Sequence, residues 1–287
     1  MINITDPHLH LFNLAEGEYG WLQPNSAPYW PDKSKLLRDF GASDLFLSDG
    51  LSLSGYSHIE AGFNNSKSWL EVDWVESQAA LPIKTVGCVD LCVSPDQFNQ
   101  QLSELSKRTS LVGVRDIFDD QLDTILSSPN TLLNLRSLEQ ADLIFELQFD
   151  VTELDDVDKV FNLFKQFPAL QVVLNHQGFG SSALPETESE MWLAGLKKLS
   201  GLANLKVKCS GFEMLDRSFT EKTLKQTIET VVSIFGESRV MVASNFPLIT
   251  LSMSYSDYWS MVVRVLQEAS LPIEKLVDLN AREIYRF

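Results

Sequence analysis

The chain has 287 residues, of which 44% are hydrophobic and 22% are charged, and its 39 acidic and 23 basic residues give a formal net charge of −16. This composition excludes the class of disordered chains, and the acidic surplus argues against nucleic acid and anionic membrane surfaces as partners. The length suits one large α/β unit, so we expect a single domain over residues 1–287.

The N-terminal stretch Met1–Asp6 has neither the basic nor the apolar region of a signal peptide, and no apolar run approaches the roughly 18 residues of a membrane-spanning helix. Three cysteines, Cys88, Cys92 and Cys209, are an odd number and do not indicate a disulfide framework. We therefore expect a cytoplasmic protein that acts on a small molecule. The pattern leaves the oligomeric state open, with a homo-oligomer as one option.

Short runs rich in β-branched residues alternate with longer amphipathic segments, which is the pattern of βα units around a parallel sheet. Eight runs predict strands at Ile2–Thr5, Tyr56–Ala61, Lys84–Val89, Leu111–Ile117, Leu143–Phe149, Gln171–His176, Asn204–Ser210 and Arg239–Asn245. The segments between and after them predict helices at Ser68–Ala80, Pro95–Lys107, Thr131–Gln140, Glu153–Phe167, Glu188–Ser200, Thr220–Phe235, Asp257–Ala269 and Pro272–Tyr285. This alternation predicts an α/β fold, a (β/α)8 TIM barrel, with the long first βα loop (11–55) over the barrel mouth.

Polar side chains recur near the C-terminal ends of the predicted strands, on the face opposite the apolar positions. They are His8 and His10 after the first run, His58 and Glu60 in the second, Arg115 in the fourth, Glu146 and Gln148 in the fifth, His176 in the sixth, Lys208 in the seventh and Asn245 in the eighth. Burying even one unpaired ionisable group costs roughly several kcal/mol. These strand ends therefore predict a hydrated or ligand-filled pocket at the face where barrel enzymes carry their active sites.

A structural interpretation stays open for each of these residues taken alone. Glu60 or Glu146 can pair with Arg115 or Lys208 as a structural network, and a single buried histidine is usually only hydrogen-bonded. All four histidines of the chain, however, lie at the C-terminal ends of predicted strands. This convergence favours a functional site.

The motifs resemble those of the amidohydrolase superfamily, in its amidohydrolase-related branch of sugar-acid lactonases and 2-pyrone-4,6-dicarboxylate lactonase. The resemblance covers essentially the whole chain, in Asp6-Pro7-His8-Leu9-His10, His58-Ile59-Glu60-Ala61, Gly113-Val114-Arg115, Phe145-Glu146-Leu147, Leu174-Asn175-His176-Gln177-Gly178, Lys206-Val207-Lys208-Cys209-Ser210-Gly211 and Ala243-Ser244-Asn245-Phe246-Pro247. It implies a hydrolase that opens a lactone, from a sugar acid or a related carboxylated compound.

The resemblance also assigns roles. It implies that His8, His10 and His176 either hold one divalent ion, zinc being the expected metal, or hydrogen-bond the substrate carbonyl directly without a metal. In the metal-free case Glu60 and His58 are the candidate bases. Arg115 is expected to bind a substrate carboxylate or the oxyanion, with His58, Glu146 and Gln148 also in the substrate site. Trp21 and Trp30 either close over a sugar-like ring or pack beneath the long loop.

Two positions depart from the family pattern. Glu146 and Gln148 stand where members with two metals carry a fifth-strand histidine, which argues against a two-metal site. Asn245 stands where most hydrolytic members carry a catalytic aspartate, and an amide is not a general base near neutral pH. Asn245 is therefore expected to orient water or substrate. Two other functions stay open: a metal-dependent decarboxylase of unsaturated or aromatic acids, and a catalytically degenerate barrel that binds a metabolite.

Overall fold

A computed structural model describes residues 1–287. Eight parallel strands form one sheet in sequential order: β1 (Ile2–Leu9), β2 (Leu51–Ile59), β3 (Ile83–Cys88), β4 (Leu111–Ile117), β5 (Ile144–Gln148), β6 (Val172–Leu174), β7 (Leu205–Cys209) and β8 (Val240–Val242). The sheet curls into a nearly closed barrel. At the seam, the amide of Asn245 donates to the His8 carbonyl at 2.9 Å, and the amide of His10 donates to the Phe246 carbonyl at 2.6 Å.

The helices follow the strands in the order expected of a (β/α)8 barrel. They are α1 (Trp69–Gln78), α2 (Pro95–Leu105), α3 (Leu122–Ser127), α4 (Thr131–Gln140), α5 (Leu154–Phe164), α6 (Glu186–Leu199), α7 (Phe212–Leu215), α8 (Glu221–Phe235), α9 (Tyr255–Glu268) and α10 (Asn280–Tyr285). Side-chain caps define several starts, such as Thr220, whose hydroxyl accepts from the amide of Thr223 before α8. None of the helices has the length and apolar character needed to cross a membrane.

The interior of the barrel is layered. An apolar cluster at one level joins side chains from six strands and from α10, namely Ile59, Val86, Val112, Ile144, Val173, Met241, Ala281, Ile284 and Tyr285. Side chains from six strands contact one another only inside a barrel, so this cluster fills its lower interior. A larger cluster of 65 buried residues includes the helix faces that pack around the strands. The remaining interior, toward the C-terminal strand ends, is polar.

The first βα loop spans residues 10–50 and contains short 3-10 turns at Gly20–Leu22, Lys33–Leu36 and Ala42–Asp44. The buried Lys33 holds it together, because its ammonium group donates to the carbonyls of Trp21 (2.8 Å), Gln23 (3.2 Å) and Ser26 (2.6 Å). Three acceptors satisfy all three N–H bonds of the ammonium. The loop is thus a packed element rather than an open connection.

The predicted barrel is confirmed, and the differences lie at element ends and in two short helices, α3 and α7, that the sequence does not predict. β1 runs on to Leu9, past Pro7, which lacks an N–H; the register shifts between Asp6 and Leu9 to accommodate it. β2 begins at Leu51, five residues earlier than predicted. The predicted last helix is a π-turn at Lys275–Leu279 followed by α10.

Candidate active site

A cavity of about 1000 Å³ opens at the C-terminal ends of the strands, beneath the first βα loop. Eight of the predicted site residues line it: His10, Trp21, Trp30, Glu60, Arg115, Gln148, His176 and Asn245. The loop contributes the two tryptophans, and the Trp21 indole donates to the Ala61 carbonyl at 2.8 Å. Residues far apart in sequence therefore meet at one cavity because parallel strands all end at this face.

Glu146 and Lys208 lie below this cavity, in the polar layer of the barrel interior. Both are fully buried, and the Lys208 ammonium donates to the two carboxylate oxygens of Glu146, each at 2.8 Å. The Tyr285 hydroxyl donates to the same carboxylate. Burial lowers the pKa of Lys208 to about 8, against the opposing effect of Glu146. Glu146 is thus an ion-pair partner and does not line the cavity, contrary to its predicted place in the substrate site.

The same ammonium determines which nitrogen of His8 carries the proton. Lys208 Nζ lies 3.2 Å from His8 Nδ1, and an ammonium only donates, so Nδ1 is the acceptor. The proton of the neutral ring must then be on Nε2, which is buried and has no partner. His8 therefore presents a donor, not a lone pair, to its surroundings.

His10 has the opposite arrangement. Its Nδ1 lies 2.7 Å from the Ile59 carbonyl, which only accepts, so Nδ1 carries the proton and Nε2 keeps a free lone pair. Burial, assisted by the positive charge of Arg115, lowers the pKa of His10 well below its usual range. His10 is consequently neutral near pH 7 and offers a proton acceptor to the cavity.

His58, beside His10, has no free nitrogen. Its Nδ1 accepts from the amide of Leu11 at 3.1 Å, and its Nε2 lies 3.0 Å from the buried carboxylate of Glu71. The side chain is buried and does not line the cavity. The structure therefore places His58 in a hydrogen-bond network that anchors the start of the first loop, and not in the predicted base or substrate-binding position.

His176 enters the cavity from an unusual turn after β6. Residues 176–178 adopt φ values of 53°, 41° and 66°, in the left-handed region. His176 Nδ1 lies 2.9 Å from the Ser210 hydroxyl. A side chain at Gly211, whose φ is 69°, would place its Cβ 2.7 Å from that nitrogen, so glycine is required for His176 to approach the end of β7.

Arg115 is already heavily engaged. Its guanidinium donates to the Glu60 carboxylate at 2.7 Å, to the Glu60 carbonyl at 2.8 Å and to the Gln148 side chain at 3.2 Å, and its salt bridge with Glu60 has an N–O distance of 2.6 Å. Three of its five N–H bonds are thereby used. Gln148 and Glu60 hold the guanidinium of Arg115 in place, and two of its N–H bonds stay available to a ligand in the cavity.

Asn245 and a residue that sequence reasoning missed form a pair. The Asn245 side-chain amide donates to Glu213 on α7 at 2.6 Å. Burial raises the pKa of Glu213 to about 7, although the hydrogen bond from Asn245 opposes this. No periodicity marks a helix of four residues, so neither α7 nor its single carboxylate was predicted; the acidic residue soon after the seventh run was the one available signal.

The predicted three-histidine metal site does not fit these residues. The rings of His8, His10 and His176 do cluster, with centroids 5.0 and 4.6 Å from that of His8. A metal needs nitrogen lone pairs, however, and His8 Nε2 carries a proton while Lys208 and Arg115 add positive charge nearby. No group of three or more His, Cys, Asp or Glu side chains is arranged to hold a metal ion. The donor set favours the metal-free alternative.

Comparison with known proteins agrees with the architecture. A family model described as Amidohydrolase matches residues 5–287. A Sinorhizobium fredii protein described as uncharacterized protein y4mH is 27% identical over 301 residues, covering 99% of both chains. The L-fucono-1,5-lactonase of Burkholderia multivorans is 23% identical over 274 residues, covering 90% of this chain and 87% of that one.

Among solved structures, an amidohydrolase from Burkholderia multivorans with bound zinc superposes with a TM-score of 0.78 at 23% identity, covering 99% of both chains. At this identity the structure shows the shared fold, and the zinc is a feature of that protein. The family model, in contrast, spans nearly the entire chain. The chain is therefore an enzyme of the amidohydrolase family.

Proposed function

We propose that this enzyme opens a lactone by hydrolysis, without a metal, in the cavity at the C-terminal end of the barrel. The observation that carries the proposal is the convergence of His10, Arg115, His176 and Asn245 on one cavity. Lactone opening needs a proton acceptor for water, a donor for the developing oxyanion and a way to orient both reactants. The cavity offers each of these groups.

His10 is the proposed general base. Its proton is fixed on Nδ1 by the Ile59 carbonyl, so Nε2 accepts the proton of the attacking water as the carbon–oxygen bond forms. The same proton then passes from His10 to the ring oxygen as the carbon–oxygen bond of the lactone breaks. Water is thereby added across the ester bond, and the imidazole of His10 is neutral again for the next turnover.

The remaining groups stabilise and orient. A free N–H of Arg115 donates to the carbonyl oxygen of the lactone, and this hydrogen bond strengthens as negative charge develops there. His176 borders the same space, and Asn245 orients the water. Glu60 neutralises the charge of Arg115 and positions its guanidinium. Arg115 therefore stabilises the oxyanion that develops during the reaction rather than binding a permanent carboxylate of the substrate.

The charge of the cavity points to a neutral lactone. Its lining contains one guanidinium, Arg115, against seven carboxylates: Glu60, Asp116, Asp119, Asp120, Asp150, Glu153 and Asp156. Burial raises the pKa of Asp116 to about 7 and that of Asp119 to about 6, which removes part of this charge near neutrality. The others still repel anions. A neutral aldonolactone suits this lining better than a carboxylated one.

A lactone panel tests the proposal. Purified enzyme is assayed by pH-stat against neutral aldono-1,5- and 1,4-lactones and against lactones with an additional carboxylate. We expect turnover on at least one neutral lactone, with kcat/KM about tenfold or more above that for the matched carboxylated compound at low salt. Turnover restricted to carboxylated lactones would contradict the charge argument, and no turnover on any lactone would leave the degenerate binding barrel as the better account.

A further inference from the structure

Glu213 is a buried carboxylate whose only side-chain partner is an amide that borders the cavity. It is 1% exposed and does not line the cavity itself. Asn245 Nδ2 donates to its Oε1 at 2.6 Å, while its Oε2 is buried without a partner. Arg217, one turn further on, donates to the main-chain carbonyl of Glu213 and pairs its guanidinium with Asp32. No salt bridge compensates the burial of this carboxylate.

The pair determines which way the Asn245 amide points. A carboxylate only accepts hydrogen bonds, so the NH2 group must face Glu213 and the carbonyl oxygen Oδ1 must face away from it. Oδ1 makes no hydrogen bond within the protein and is not among the unpartnered atoms closed off from solvent. Asn245 lines the cavity, so the accessible Oδ1 faces it as a hydrogen-bond acceptor.

The backbone of Asn245 is restrained as well as its side chain. Its φ of 56° lies in the left-handed region, and its amide donates to the His8 carbonyl across the barrel seam at 2.9 Å. Without Glu213, the remaining freedom of the residue would be rotation of its amide. That rotation would exchange an acceptor for a donor at the cavity.

We propose that Glu213 is a positioning residue for hydrolysis: it orients the Asn245 amide so that Oδ1 accepts a hydrogen bond from the attacking water. This inference rests on the proposed function. Asn245 then supplies orientation, while the proton goes to His10. The two side chains, an amide in the cavity and a carboxylate behind it, form one functional unit.

The unit is sensitive to pH. Burial raises the pKa of Glu213 to about 7, and protonation replaces a charge-assisted hydrogen bond by a weaker neutral one, so the NH2 group of Asn245 is held less firmly. The other charged or titratable groups that face Glu213 are Arg217, which opposes the rise, and the buried Tyr258 of α9. Both keep one charge state between pH 5 and pH 8. Protonation of Glu213 is therefore expected to contribute a loss of activity below about pH 7.

Two substitutions test the proposal. In Glu213→Gln the side-chain carbonyl still accepts from Asn245 Nδ2, so kcat should stay within about fivefold of wild type while the loss of activity below about pH 7 disappears. In Glu213→Leu the acceptor is absent, so kcat should fall by about 10²-fold, the order seen for a misplaced reacting group, with KM little changed. Thermal unfolding checks folding, and Glu213→Leu should be no less stable because it removes a buried charge.

A spectroscopic readout makes the test independent of turnover. The Asn245 side-chain amide resonances should shift with an apparent pKa near 7 in wild-type protein and show no such titration in Glu213→Gln. A folded Glu213→Leu enzyme with wild-type kcat, or equal losses in both variants, would overturn the positioning role. Absence of lactone turnover in wild type would instead defeat the proposed function, and the resonances would still decide whether Glu213 orients the amide.

Discussion

His10 and His58 are neighbouring buried histidines with opposite hydrogen-bonding states. The carbonyl of Ile59 leaves one nitrogen of His10 free, whereas Leu11 and Glu71 occupy both nitrogens of His58. The sequence predicts that both residues lie near the site, because both follow or end strands. It does not predict which nitrogen is free, since that depends on which backbone groups approach each ring in the folded chain.

At the residue scale, His8 gives a prediction about metal removal. Because the Lys208 ammonium forces the His8 proton onto Nε2, a divalent ion would have to displace that proton next to a positive charge. Dialysis against a strong chelator should therefore leave kcat/KM on a neutral lactone unchanged, and added zinc should not raise it. Metal content is measured on the same samples. Loss of activity on chelation that zinc restores would show that the tautomer assignment is wrong.

At the scale of elements, the strands were predictable and the short helices were not. Each of the eight strands overlaps a run rich in β-branched residues, and the alternation of these runs with helical segments continues through the whole chain. The helices α3 and α7 have six and four residues, too few to show a helical period. Glu213 lies on α7. The sequence predicts neither this helix nor its functional residue, because the helix is too short to show a helical period.

The first βα loop gives a prediction at this scale. Replacing Lys33 by methionine leaves the carbonyls of Trp21, Gln23 and Ser26 without their shared donor, at a cost of about 1–3 kcal/mol for a buried unsatisfied group. The loop should loosen over the cavity, so that KM rises about tenfold or more and kcat changes less. Steady-state kinetics and limited proteolysis between residues 20 and 36 measure both effects.

The matched control for that substitution is Lys35→Met, on the same 3-10 turn but exposed. It removes an equal charge without removing the three hydrogen bonds. Equal changes in KM and proteolysis for the two variants would mean that charge, and not the anchoring of the loop, governs access to the cavity.

At the scale of the whole molecule, the acidic surplus of the sequence reappears at a particular place. The net charge of −16 argues against anionic partners in general terms, and the structure places seven carboxylates in the lining of the cavity. The sequence indicates the sign of the charge but not its distribution. That distribution depends on which loops converge at one end of the barrel, and of the two lactone classes expected from the sequence it favours the neutral sugar-acid lactone that we propose.

The most direct test of the central claim replaces the proposed base. In His10→Asn the side-chain amide is able to keep the donor to the Ile59 carbonyl while the accepting nitrogen is lost. We predict that kcat on the best neutral lactone falls about 10²- to 10⁴-fold with the fold intact. His58→Asn, the control, should lower stability and leave kcat within about threefold. A fully active His10→Asn enzyme, or equal losses of kcat in both variants, would contradict the account.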